Sequence, residues 1–297
     1  MERVGFIGVG IMGGAIAARM LERGLDVLAY DTNPGMLAKM KAHGAQIANS
    51  VGEVVDLAEI VYACLPTPEI CRAAALGPGG VAEGTKVKIY VETSTIGGAI
   101  AGELALALAE RGITLIDAPV VGGTVALAAG TLGVVAAGPR DEFERARPSL
   151  ETFAGRLFYL GEKAGMGQAG KVVNNAVGYA AFLATCEAVA LGMKAGIDME
   201  TAIAIINQGS GANFFSQFAF PQFILKGKYE GTGAVEVGVK DVALFLEEAE
   251  RLKMSTPMAS AVSALQKKIA ASGPAGRDTM TVMHFFAHLA GLRRESS

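Results

Sequence analysis

Apolar positions along this chain follow two rhythms. In the first half, short apolar runs of strand length recur at residues 4–9, 25–30, 60–65, 87–92, 113–117, 131–137 and 156–160. An amphipathic stretch up to about Arg23 separates the first two, and an Ala- and Leu-rich helical segment covers 99–111. Strands alternating with helices predict a doubly wound, mostly parallel α/β sheet with right-handed crossovers. Ligands in such sheets lie beyond the carboxyl ends of the strands. After Leu160 the strand rhythm stops. The remaining pattern predicts helices only: a long one over 165–196, then 199–207, 214–225, 240–253, 257–272 and 280–292. The expected organisation is an N-terminal Rossmann-like domain over 1–162 and an all-α substrate and dimerisation domain over 163–297, joined by the long helix.

That long helix organises the second half. From Val172 to Cys186 no residue carries a formal charge, which reads as a helix apolar nearly all round and therefore buried. Roughly 25 helical residues would span about 37 Å. Such a helix needs partners on several sides, so a homodimer or homotetramer is expected. Its 15 or so uncharged residues fall short of the roughly 20 that a membrane span needs.

Composition sharpens this picture. Hydrophobic residues make up 51% and charged ones 19% of 297 residues, against about 25% charged in an average globular chain. The 39 glycines without matching proline suggest tight turns and close packing rather than disorder. A net charge of −3 with no basic stripe argues against a nucleic-acid partner. Cys64, Cys71 and Cys186 follow no metal or disulfide spacing, as in a reducing compartment. The first strand starts within three residues of Met1 with no leader pattern before it, so a cytoplasmic location is expected.

The first apolar run leads into Gly8, Gly10 and Gly13, a G-x-G-x-x-G array that also holds Ile11 and Met12 and opens a helix. The second run ends in Asp31. Strand, glycine turn, helix, strand and acidic end form a dinucleotide-binding fingerprint in its required context. Gly8 permits the sharp turn, Gly10 the approach of a pyrophosphate, and Gly13 the close packing of helix on strand. The helix N-terminus then faces the phosphates. Asp31 would bind the ribose hydroxyls and repel a 2′-phosphate, which favours NAD over NADP. Further on, Lys171 opens the long helix and Asn175 leaves the same face four residues later. By themselves these residues allow two readings: a surface lysine before a core helix, or a polar site at its mouth.

Taken together the motifs resemble the β-hydroxyacid dehydrogenases, the group that includes 3-hydroxyisobutyrate dehydrogenase and tartronate semialdehyde reductase. The resemblance covers nearly the whole chain. It rests on Gly5-Phe6-Ile7-Gly8-Val9-Gly10-Ile11-Met12-Gly13, on Asp117-Ala118-Pro119-Val120 with Gly122-Gly123 and Gly130-Thr131-Leu132, on Gly165-Met166-Gly167 with Lys171 and Asn174-Asn175, and on Lys240-Asp241. It implies an NAD-dependent oxidoreductase acting on a small β-hydroxy acid or related semialdehyde. Lys171 would be the catalytic lysine, since hydride transfer from a hydroxyl carbon needs a proton acceptor within hydrogen-bond reach. The resemblance further implies that Asn175 holds the substrate and that Gly122 and Gly123 offer backbone N–H groups to its carboxylate. Leu65, Pro66 and Thr95 would touch the cofactor, and Lys240 would close over its nicotinamide end. An exposed lysine at a helix start remains the plainer account of Lys240.

This chain departs from the family where a substrate carboxylate is gripped. Val121 stands where a serine is usual, and Ala126-Leu127 where Gly-Ala is usual. Both changes add apolar bulk, so the expected pocket is drier and suits a bulkier or less charged substrate. Asn207 to Phe215 resembles the family's substrate loop with two aromatics added; core or dimer packing is the plainer account of Phe214 and Phe215. His284 and His288 have a metal-compatible spacing, but no third ligand is recognisable and no metal is expected. Two other functions fit the fold. A noncatalytic NAD-binding scaffold and an imine reductase are both disfavoured by the retained Lys171.

Overall fold

The computed structural model describes residues 3–292. The chain divides between Lys171 and Val172 into two compact units. In the first, β1 (Arg3–Ile7), α1 (Ile11–Glu22), β2 (Asp26–Tyr30), α2 (Pro34–Ala42) and β3 (Gln46–Ile47) are followed by α3 (Val51–Leu57) and β4 (Ile60–Ala63). Then come α4 (Pro68–Leu76), β5 (Ile89–Glu92), α5 (Gly98–Ala109) and β6 (Thr114–Asp117). The six strands form one parallel sheet in the order β3-β2-β1-β4-β5-β6. The chain runs outward from β1 to β3 and then returns to β4, which opens a crevice at the carboxyl ends beside β1. Helices cover both faces, so alternate strand residues enter two cores. Phe6, Ile16, Met20, Tyr62 and Phe143 fill one; Val54, Val61, Tyr90, Leu104 and Leu108 fill the other.

The end of the strand series differs from the expected single sheet. β7 (Val120–Val121), α6 (Gly123–Ala128), β8 (Gly133–Ala136), α7 (Arg140–Leu150) and β9 (Arg156–Tyr159) make a separate three-stranded sheet, with β7 antiparallel and β9 parallel to β8. A single bridge between Asp117 and Ala137 connects it to β6. Strands of two residues, such as β3 and β7, are too short to show a hydrophobic period.

α8 (Met166–Lys194) carries the chain into the second unit, where α9 (Met199–Gln208), α10 (Phe220–Gln222), α11 (Val235–Arg251), α12 (Pro257–Ala271) and α13 (Val282–Leu289) follow. Phe182, Cys186, Phe220, Val242, Met283 and Phe286 form the centre of its core. Several sequence expectations need correction here. α8 is apolar nearly all round but is not buried all round within one chain: Val173, Val177 and Leu191 are 57%, 69% and 70% exposed. With Ala184 and Ala188 they line one exposed stripe, while Val172, Phe182, Leu183, Cys186 and Val189 make the buried face. At 29 residues α8 is also long and apolar enough to cross a bilayer, so its length does not exclude a span. Its buried face serves instead as the core of a helical unit.

Segment 214–225 is not one helix. A π turn (Phe215–Ala219), α10 and a 3-10 turn (Ile224–Lys226) succeed one another, because Pro221 has no N–H for the helical ladder. Finally, α11 starts at Val235, five residues earlier than expected. Val235-Glu236-Val237-Gly238 alternates like a strand, but a Cβ on Gly238 would lie 2.7 Å from the Tyr179 ring, and this close packing on α8 sets the helix. Lys240 therefore lies in the second turn of α11 and is half-buried, not at a helix start.

Candidate active site

The glycine array has the geometry its residues suggest. Gly8 adopts φ +86°, and a Cβ there would meet the Cys64 carbonyl oxygen at 2.5 Å. A Cβ on Gly13 would lie 2.0 Å from the Gly8 carbonyl oxygen and 3.0 Å from Cys64 Cβ, so α1 packs on β1 only because both are glycine. Nothing lies within 4 Å of the corresponding position on Gly10. That open side of the loop leads to the N-terminus of α1, where no side chain caps the helix and no acid occupies the first turn. Ile11 is exposed and Met12 half-buried beside it. Uncapped backbone N–H groups behind an open glycine suit a dinucleotide pyrophosphate.

Asp31 follows the end of β2. Its Oδ2 accepts from Val9 N–H and its Oδ1 from Asn33 N–H, each at 2.8 Å. A carboxylate offers about four lone-pair sites, so these two bonds fix its direction and leave capacity for ribose hydroxyls. Leu65 and Pro66 follow β4, and Leu65 N–H donates to Ser94 Oγ at 2.7 Å. Thr95 is half-buried in the loop after β5. Burial pushes the Cys64 thiol up to about 11, against hydrogen bonds from Thr93 and Gly13 N–H and the neighbouring Lys171 charge, which lower it. A thiol held protonated in this way is a packing group, not a nucleophile.

Sequence reading did not anticipate the polar cluster that seats Lys171. Buried Gln168 uses its whole carboxamide. Oε1 accepts from Ile96 N–H (2.8 Å) and Gly97 N–H (3.1 Å), while Nε2 donates to Ser94 O (3.0 Å) and Asp117 Oδ1 (2.7 Å). Asp117 Oδ2 accepts from Gly165 N–H (3.0 Å) and Gln168 N–H (3.1 Å). Asp117 thus caps α8 from a distant strand and places a negative charge at the positive end of the helix dipole. The approach is close. A Cβ on Gly167 would lie 2.5 Å from Val135 O and 2.9 Å from Asp117 Oδ2. One turn later comes Lys171, half-buried and close enough to Cys64 to influence its thiol.

Burial raises the Asp117 carboxyl to about 6, opposed by its bonds to Gln168 and Gly165 and reinforced by Glu92. Glu92, its register partner on β5, is also raised by burial, against hydrogen bonds from Ser94, Tyr90 and Cys71.

In the second unit Asn175 Nδ2 donates to Asp241 Oδ2 at 2.7 Å, and Asn175 Oδ1 accepts from Asn174 Nδ2 at 3.0 Å. One amide N–H of Asn175 is left over by these bonds. Lys240 Nζ lies 3.1 Å from Asp241 Oδ1, as an ion pair rather than an aligned hydrogen bond. Buried Asp241 therefore holds two of the candidate residues, α8 Asn175 and α11 Lys240. Asn213 Oδ1 accepts from Phe215 N–H (2.9 Å) and Ser216 N–H (3.2 Å), which pins the aromatic loop. Phe215 stacks on core Phe182 at 4.5 Å, while Phe214 is 54% exposed. His284 packs on the Tyr229 ring at 4.4 Å. Among the described residues no group of three or more His, Cys, Asp or Glu is placed to hold a metal.

The apolar pocket wall expected from Val121 and Leu127 is only partly present. Leu127 is 5% exposed and belongs to the core that includes Ile16 and Met20. It does not face a site, because the side of α6 that packs on α1 carries it inward. Val121 is half-buried across from Gly133, whose missing Cβ makes room for the valine methyl. Gly122 and Gly123 remain exposed at φ +110° and +65°.

The chain is similar to known proteins along most of its length. The family described as NAD binding domain of 6-phosphogluconate dehydrogenase matches residues 3–161. The family described as NAD-binding of NADP-dependent 3-hydroxyisobutyrate dehydrogenase matches residues 165–286. A 2-(hydroxymethyl)glutarate dehydrogenase of Eubacterium barkeri is 30% identical over 98% of this chain and 96% of its own length. A 3-hydroxyisobutyrate dehydrogenase of Pseudomonas aeruginosa is 34% identical over 87% of this chain and 89% of its own. Among solved structures, a 3-hydroxyisobutyrate dehydrogenase of Salmonella typhimurium superposes with a TM-score of 0.87 at 28% identity, covering 96% of this chain and 100% of that one.

Proposed function

Because this chain belongs to the β-hydroxyacid dehydrogenase family and is an NAD-dependent oxidoreductase, we propose that it interconverts a 3-hydroxy acid and its semialdehyde with Lys171 as the proton carrier. The two relatives named above take their names from acids with a hydroxymethyl carbon next to the carbon that bears a carboxylate. The same substrate class is the proposal here.

Bound NAD supplies the hydride acceptor. Gly8, Gly10, Ile11, Met12 and Gly13 would hold its pyrophosphate, Asp31 its ribose, and Leu65, Pro66 and Thr95 further contacts; for Lys240 a cofactor contact rests on the family resemblance alone. In the oxidising direction the hydroxyl O–H proton passes to the neutral Lys171 amine as the carbon loses hydride, and the C–O bond becomes a carbonyl. In the reducing direction the Lys171 ammonium returns that proton to the carbonyl oxygen. The family resemblance gives Asn175, which has one amide N–H to spare, the role of holding the substrate, and gives the N–H groups of Gly122 and Gly123 the role of binding its carboxylate. Asp241 keeps the Asn175 amide and the Lys240 ammonium in place.

The observation that carries this reading is the seat of Lys171, anchored one turn after a buried cap at the carboxyl ends of the strands. It is tested by replacing the amine. Lys171→Ala should bind NAD as the native protein does and lose at least about a hundredfold in kcat, the scale of lost general acid–base catalysis. Near-native turnover would remove Lys171 from the chemistry. A panel of 3-hydroxy acids followed by NADH absorbance identifies the substrate.

A further inference from the structure

Gln168 takes no part in the proposed chemistry, yet it is the most completely bonded side chain near it. Its four carboxamide bonds and the two backbone bonds to Asp117 join three chain segments: the end of β6, the Ser94–Gly97 loop and the first turn of α8. No other side chain of similar size can replace it. Two acceptor bonds on one side and two donor bonds on the other need a carboxamide. Glutamate would turn an acceptor toward Asp117, methionine would make none of the bonds, and asparagine is one carbon short. Lys171 follows three residues later, so its side chain leaves the helix next to that of Gln168. A misplacement of about 1 Å at a reacting group can cost on the order of a hundredfold in rate, and the cluster fixes the helix turn from which that amine extends.

We infer that Gln168 is the positioning residue of Lys171, and that it locks the lysine-bearing turn and the Ser94–Gly97 loop into one rigid part of the site. This rests on the reading of Lys171 as proton carrier. A residue that serves only to hold the fold would act on any residual activity equally, with or without the lysine amine. A positioning residue acts only while the amine is there to be positioned.

The test is a double-mutant cycle on kcat, with unfolding midpoints and NAD affinity measured alongside. Gln168→Met should lower kcat by about ten- to a hundredfold in the native background. In the Lys171→Ala background the same change should alter the residual kcat by less than about twofold, which is the non-additivity expected of coupled groups. Gln168→Glu, which keeps the shape but removes the donor, is put through the same cycle in case the methionine variant does not fold. Equal losses in both backgrounds, or a native-background loss below about twofold, would overturn the inference. Failure of the lysine reading shows separately, as near-native turnover in Lys171→Ala alone.

Discussion

Asp31 and Val121 each make a prediction at the scale of single residues. With Asp31 aimed by two backbone N–H groups, NAD should give a higher kcat/KM than NADP, because a 2′-phosphate would approach a fixed carboxylate. A higher value with NADP would contradict it. Asp31→Ala should weaken NAD binding and lower stability by only about 1 kcal/mol, since one of the two backbone donors it releases is part-buried and the other exposed to water. For Val121 the missing hydroxyl matters more than the added bulk, which Gly133 accommodates. Val121→Ser should raise kcat/KM for 3-hydroxyisobutyrate relative to bulkier acids, as a hydrogen bond to a charged group contributes about 1.5–3 kcal/mol. If the native enzyme already prefers that small acid, Val121 does not set its specificity.

Individual elements show how much the sequence could say. The glycine array and its flanking strands were legible because each requirement is local: a turn, an open approach, a close helix contact within a few residues. β7, the break at Pro221 and the early start of α11 were not, because short or alternating segments take their conformation from distant packing. The Gln168–Asp117 pair was invisible for the same reason. Its partners lie 51 residues apart, and Gln168 reads in the sequence as one polar residue among glycines. Composition marked α8 as apolar on several sides, and a single chain buries only one of them. An exposed apolar stripe of Val173, Val177 and Leu191 is where the homodimer or homotetramer expected from the sequence is tested. Val177→Asp with Leu191→Asp should shift sedimentation toward the monomer at micromolar concentration. An unchanged oligomer would place the interface elsewhere.

The whole molecule carries an energetic cost at the carboxyl ends of β5 and β6. Asp117, at about 6, and Glu92 are both raised by burial. The folded state therefore holds protons that the unfolded state has already released. Stability contributed by protonated Asp117 is complete below about pH 4 and is lost as pH rises toward 6. Unfolding free energy in urea should fall across that window in the native protein and fall less in Asp117→Asn, by on the order of 3 kcal/mol. Identical pH dependence in the two would remove Asp117 as its source. These acids make the molecule less robust at neutral pH than an uncharged core would, and one of them anchors the turn that bears Lys171. Selection for heat tolerance alone would therefore meet opposed terms at Asp117, where relief of a buried charge is set against the loss of the α8 cap and of the turn that bears Lys171.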